Sequence, residues 1–155
     1  MLRLRTGSEP AALCVGTDGS VSVQLQITDI VIPINGVQVL LAYDRSSMTL
    51  RPSTSTEAPG WTRIALLDNN GQVTYALVNT GGSVGPGDGP FTLATLVFDP
   101  TAEGVAGVSF RADSPPFTTK LTLANGAGII SGPDLGRADS GIISIDDTVP
   151  RAAND

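Results

Sequence analysis

From Val21 to Ile27 every second residue is apolar: Val21, Val23, Leu25 and Ile27 alternate with Ser22, Gln24 and Gln26. A period of two puts one set on one face of an extended chain, so this stretch reads as a half-buried antiparallel strand. Pro33 and Asn35-Gly36 punctuate a turn. Gly36-Val-Gln-Val-Leu-Leu-Ala-Tyr-Asp44 then gives a second strand, closed by a Tyr-Asp corner, and Met48-Thr-Leu50 returns. No window sustains apolar residues at i, i+3, i+4 and i+7, so long helices are not expected.

The rest of the chain repeats this grammar. Leu2 and Leu4 alternate with Arg3 and Arg5 as a short edge strand, and Leu13 to Val15 reads as a first core strand before the Gly16-Thr-Asp-Gly19 turn. Trp61 to Leu67 and Gln72 to Thr80 flank Asn70-Gly71, the pairing that a type I′ hairpin turn demands. Phe91 to Phe98, Gly104 to Ala112, Thr118 to Ala124 and Gly141 to Ile145 supply the remaining strands, with a break at Pro115-Pro116. Eighteen Gly and eleven Pro suit many short strands joined by tight turns. The expected fold is an all-β, nine-stranded jelly-roll β-sandwich. At 155 residues one domain is expected, over 1–147, with 148–155 a polar tail or the start of a linker.

Composition excludes more than it selects. The net charge of −6 carries no basic stripe, and Lys120 is the only Lys, so nucleic acid is a poor partner. There is no His, which removes the commonest general base and a common metal ligand. Cys14 stands alone, so neither an intrachain disulfide nor a Cys-based metal site can form. No apolar run is long enough for a membrane span, and no secretory signal is visible. Gly81 to Gly89 lacks the ending of a phosphate loop, and no Ser has a His partner. Asp68-Asn-Asn-Gly71 resembles a fragment of a calcium loop but supplies too few ligands, so it reads as a hairpin turn. No catalytic residue, metal or cofactor is assigned.

Two sets of residues are candidates for binding. Val37, Val39, Leu41 and Tyr43 share one face of their strand, and Gln38, Leu40 and Ala42 share the other. That second row is too apolar for a solvent-facing one. Thr74, Ala76 and Val78 alternate with Val73, Tyr75 and Leu77, and the pattern alone leaves open which set faces out. On the Phe91 to Phe98 strand, Ala94, Leu96 and Phe98 are assigned to the core. Trp61 and Tyr75 are a candidate sugar-stacking pair, with Trp61 as a core or rim anchor the competing role.

Taken in order, Val21-Ser-Val-Gln-Leu-Gln-Ile27, Gly36 to Asp44 with Met48 and Leu50, Leu93-Ala-Thr-Leu-Val-Phe98, Gly107-Val-Ser-Phe110 and Gly141-Ile-Ile-Ser-Ile145 resemble a cohesin domain. Cohesins are related in fold to cellulose-binding carbohydrate-binding modules. The resemblance implies a nine-stranded jelly roll that docks a dockerin module, a small calcium-loaded helical pair, on a flat sheet face. Transferred here, the partner-binding positions are Gln38, Leu40 and Ala42, with Thr74 and Ala76 bordering them. Some cohesins place Asn and Asp where this chain has Gly36 and Gln38. The implied role is non-catalytic scaffolding or surface attachment, extracellular or at the cell surface. Affinity is expected from apolar burial, with acidic loops steering the partner. A carbohydrate-binding module of the same fold and a structural subunit of a surface layer or fibre are the alternatives.

Overall fold

The computed structural model describes residues 2–6, 14–15, 20–27, 30, 32–85, 91–102, 104–111, 118–124, 128–131, 137–138 and 141–145. The expected Gly16–Gly19 turn, the Pro115-Pro116 break and the 148–155 tail lie outside these residues.

The chain is built from strands: β1 (Leu2–Thr6), β2 (Cys14–Val15), β3 (Val21–Ile27), β4 (Ile34–Tyr43), β5 (Met48–Leu50), β6 (Thr56–Glu57), β7 (Trp61–Asn69), β8 (Gln72–Asn79), β9 (Phe91–Pro100), β10 (Gly104–Phe110), β11 (Lys120–Leu123), β12 (Gly128–Ser131), β13 (Arg137–Ala138) and β14 (Gly141–Ile145). Among the described residues, eight of these have five residues or more, and short ribbons extend them into two sheets. This is the jelly-roll sandwich expected, and the nine-strand count roughly fits.

The first sheet runs β13-β1-β3-β9-β5, with β6 also on β9. In the second, β4 is the hub. One edge of β4 pairs with β8, which pairs with β7. Its other edge is shared: β11 takes Ile34 to Gln38, and β10 takes Leu41 to Tyr43. The sheet therefore forks at Val39 and Leu40.

Period-two patterning decides which faces meet. Val21, Val23, Leu25 and Ile27 of β3 and Ala94, Leu96 and Phe98 of β9 pack against Val37, Val39, Leu41 and Tyr43 of β4. On β8 the core set is Val73, Tyr75 and Leu77, so Thr74, Ala76 and Val78 face outward. Each such buried aliphatic contributes about 2 kcal/mol. Tyr43 and Phe98 meet edge to face at 5.1 Å, one from each sheet.

The Tyr-Asp corner carries the chain from β4 in one sheet to β5 in the other. Tyr43 Oη donates to Asp68 Oδ2 and accepts from the Leu50 amide at 3.1 Å. Asp44 Oδ1 accepts from the amide and hydroxyl of Ser46 at 2.9 and 2.6 Å, closing the turn. The β7–β8 hairpin turns at Asn70 (φ 55°) and Gly71 (φ 92°), as the Asn-Gly pair requires. Asp68 Oδ1 accepts from the Gly71 amide at 2.9 Å. Both Asp68 oxygens are thereby used in holding the fold.

Candidate functional site

The outer face of the second sheet can be assembled row by row from its register, because directly opposed residues share a face. One row runs Thr62, Val78, Gly36, Thr122, Ile129 across β7, β8, β4, β11 and β12. The next runs Ala65, Ala76, Gln38, Lys120, and a third runs Leu67, Thr74, Leu40. Gln38, Ala76 and Thr74 are thus brought together as expected.

Leu40 is not the exposed anchor that its alternation implied. It has no exposed surface, although it lies outside the core cluster. The reason is the fork. Where β4 has lost β11 and not yet met β10, the ends of the β10–β11 connection take over its backbone. The Leu40 amide donates to Thr119 Oγ1 at 3.1 Å, and the Leu40 carbonyl accepts from the Arg111 amide at 3.0 Å. The Arg111 guanidinium donates to the carbonyls of Leu41 and Val73 and to Thr74 Oγ1, tying β10 to β4 and β8. Gln38 is tethered too, its Nε2 donating to the Thr118 carbonyl at 2.7 Å. Ala42 is half-buried beside Gln72 and Ser109. The chain's own segments occupy the middle of the face that the sequence pattern left open.

Trp61 and Tyr75 also depart from the expected sugar platform. Trp61 is 6% exposed and Tyr75 is fully buried; both belong to the core. Tyr75 points between the sheets, where its hydroxyl donates to Glu57 Oε1 at 2.5 Å. Arg63 Nε donates to the same oxygen at 2.5 Å, and its guanidinium lies 5.8 Å from the centre of the Tyr75 ring. The terminal nitrogens of Arg63 bind the carbonyls of Pro52 and Ser55. Burial, and then the bond to Glu57, push the Tyr75 phenol well above the ordinary tyrosine range. These groups form a latch between sheets and leave no aromatic plane for a sugar ring.

The exposed apolar surface lies to one side of the tethered centre. Ile64 is 66% exposed, Leu67 60% and Ile129 61%. Between Ile64 and Thr122 is a shallow depression of about 170 Å³, lined by Gly36, Gln38, Ala76, Val78 and Lys120 among others. Gly36 and Thr122 line it together, with Thr122 so close that its Cβ and Oγ1 would stand 2.9 and 3.0 Å from a β-carbon on Gly36. The sequence pattern missed Ile64 and Leu67 because Ile64-Ala-Leu-Leu67 is apolar on both faces, and a bulge between Arg63 and Ala65 shifts the parity. That uninterrupted apolar run was the available signal.

Most of the fifteen acidic residues, among them those of the loops expected to steer a partner, lie outside the described residues. The four described carboxylates, Asp44, Glu57, Asp68 and Asp99, are all committed elsewhere: to a turn, the latch, Tyr43 and Arg51. Among the described residues of these rows Lys120 is the cation nearest the depression, with no carboxylate paired to it. No group of three or more His, Cys, Asp or Glu capable of holding a metal occurs among the described residues.

No family model matches the sequence, and no curated protein sequence does. Solved structures do. A cohesin module from the family 33 glycoside hydrolase of Clostridium perfringens superposes with a TM-score of 0.68 at 11% identity, over 94% of this chain and 96% of that one. A type II cohesin domain from the cellulosome of Acetivibrio cellulolyticus gives 0.65 at 18% identity, over 92% and 93%. The third ScaB cohesin of R. flavefaciens, solved in complex with a group 1 dockerin, gives 0.59 at 16%, over 94% of each chain. The fold is that of cohesin modules.

Proposed function

We propose that this chain is a non-catalytic docking module which captures a dockerin-like protein on the outer face of its β7-β8-β4-β11-β12 sheet. The observation that carries this reading is the set of exposed apolar side chains Ile64, Leu67 and Ile129 around the depression at Gly36, on a cohesin fold. Large apolar side chains left bare around a concave centre mark an interaction surface, and burying them supplies the affinity. The complexed neighbour supports the partner class. Residues 1–147 act as one module, and its place of action is outside the cell or at its surface, in keeping with a neighbour from a cellulosome.

Within this reading the binding positions are Ile64, Leu67, Ala76, Gln38, Thr122 and Ile129. Thr74 and Ala42 lie at the margin, and Leu40 acts from beneath. A carbohydrate-binding role loses Trp61 and Tyr75 to the core. A strand-donating role for the first dozen residues is disfavoured because β1 is already held between β3 and β13.

The test is equilibrium binding of the full chain to a panel of calcium-loaded dockerin modules, repeated after chelation. Saturable capture that disappears with the calcium is expected. Failure of every module to bind, with the chain folded, counts against the reading.

A further inference from the structure

We propose that Asn70-Gly71 is a site of spontaneous covalent modification which the fold holds closed, with Asp68 as the residue that guards it. This does not depend on the docking role.

In a flexible chain an Asn-Gly pair is a reactive setting for asparagine. The backbone nitrogen of the following residue attacks the side-chain carbonyl carbon. A C–N bond forms, and the side-chain nitrogen leaves as ammonia with the proton that the backbone nitrogen gives up. Water then opens the five-membered succinimide at either carbonyl, giving aspartate or isoaspartate. Glycine favours the attack because it has no β-carbon to crowd the nitrogen and the freest backbone. The chain has three such pairs, Asn35-Gly36, Asn70-Gly71 and Asn125-Gly126, of which the last lies outside the described residues.

Asn70 is exposed at the tip of the β7–β8 hairpin, so water reaches it freely. The glycine side is held. The Gly71 amide, which is the nucleophile, donates to Asp68 Oδ1 at 2.9 Å. The Gly71 carbonyl accepts from the Tyr43 amide at 2.9 Å. Gly71 is buried, and a β-carbon on it would collide with the Tyr43 carbonyl. Asp68 is itself fixed through Oδ2 by the Tyr43 hydroxyl. With φ of 55° and 92° the pair sits in its hairpin turn, and bringing the nitrogen onto the Asn70 side chain requires a backbone rotation that pulls Gly71 from both partners. The reaction therefore waits on opening of the turn, and its rate is that of a free Asn-Gly pair multiplied by the open fraction.

The products do not fit as the asparagine does. Isoaspartate routes the backbone through the β-carbon and adds one methylene to a two-residue turn whose ends are set by the Asn69–Gln72 pair. Aspartate keeps the backbone but places a second carboxylate near Asp68. Conversion is one-way, so the modified fraction records how often the hairpin has opened.

The experiment is incubation of the full chain at mildly alkaline pH below its melting transition, with peptide mapping by mass spectrometry to follow each Asn-Gly pair. The chain unfolded in urea is the reference. Asn35-Gly36 lies inside β4 with Gly36 paired on both sides, so its conversion monitors global unfolding. Asn70 in the folded wild type should convert at least about tenfold more slowly than in urea. Asp68→Ala removes a charge-assisted hydrogen bond and should speed Asn70 about tenfold while Asn35 stays protected. Leu40→Ala lowers stability without touching the turn and should leave Asn70 protected. Conversion of Asn70 in the folded wild type as fast as in urea overturns the inference. So does an Asp68→Ala variant in which Asn70 is unchanged or accelerates only in step with Asn35, and so does equal acceleration of Asn70 by Leu40→Ala.

Discussion

Gly36 and Thr122 face each other across the β4–β11 pair so closely that a β-carbon on Gly36 would stand 2.9 Å from the Thr122 Cβ. The Thr122 side chain takes the space that a side chain on Gly36 would need. Gly36→Ala forces the two strands or the Thr122 side chain to give way, at about 1 kcal/mol. Adding Thr122→Gly removes the clash and restores much of the stability. Urea denaturation of the two single variants and the double variant measures the coupling.

Leu40 and Leu67 lie in one outer row on either side of Thr74, with opposite fates on mutation. Leu40→Ala empties a fully buried site and costs about 3 kcal/mol. Leu67→Ala, at a position 60% exposed, changes stability by about 0.5 kcal/mol or less. Chemical denaturation of the pair distinguishes a tethered centre from an open one.

The latch of Glu57, Arg63 and Tyr75 holds the β6 segment of one sheet to the β7–β8 hairpin of the other. Both charged side chains are mostly buried, at 17% and 26% exposed. Glu57→Gln leaves Arg63 without its charge partner and is expected to cost about 2 kcal/mol. A double-mutant cycle with Arg63→Met should show most of that cost as coupling.

Alkaline pH should weaken the fold through its tyrosines. Burial first, and then bonds to Glu57 and Asp68, raise the Tyr75 and Tyr43 phenols above the ordinary value of 10.0. The folded protein therefore holds these protons more tightly than the unfolded chain. Their contribution is complete below pH 10.0 and is lost as pH rises towards the folded values. Unfolding free energy measured across this range should fall above about pH 10, and Tyr75→Phe should flatten the slope.

The core was legible wherever one side of a strand was polar. β3 shows its inward set in the sequence, and so does the Asn70-Gly71 hairpin, since only a few residues tolerate positive φ. β8 was not legible, because Thr74, Ala76 and Val78 are scarcely more polar than the row they alternate with. Leu40 misled for a different reason. Its backbone is held by Arg111 and Thr119, some 70 to 80 positions away in the chain, and short-range alternation carries no information about that. For Trp61 and Tyr75 the sequence left a sugar platform and a core role both open, and the core role holds: Trp61 is 6% exposed and Tyr75 fully buried. Ile64 escaped notice because a bulge breaks the period of two on which such readings depend.

The most direct test of a docking face is the affinity of a captured dockerin module for the variant carrying both Ile64→Asp and Leu67→Asp. Both positions are exposed, so the variant should melt within a few degrees of wild type. Its affinity should fall at least a hundredfold, because two buried aspartates would replace large apolar contacts. Unchanged affinity in a normally folded variant would place the binding surface elsewhere on the molecule and contradict the account.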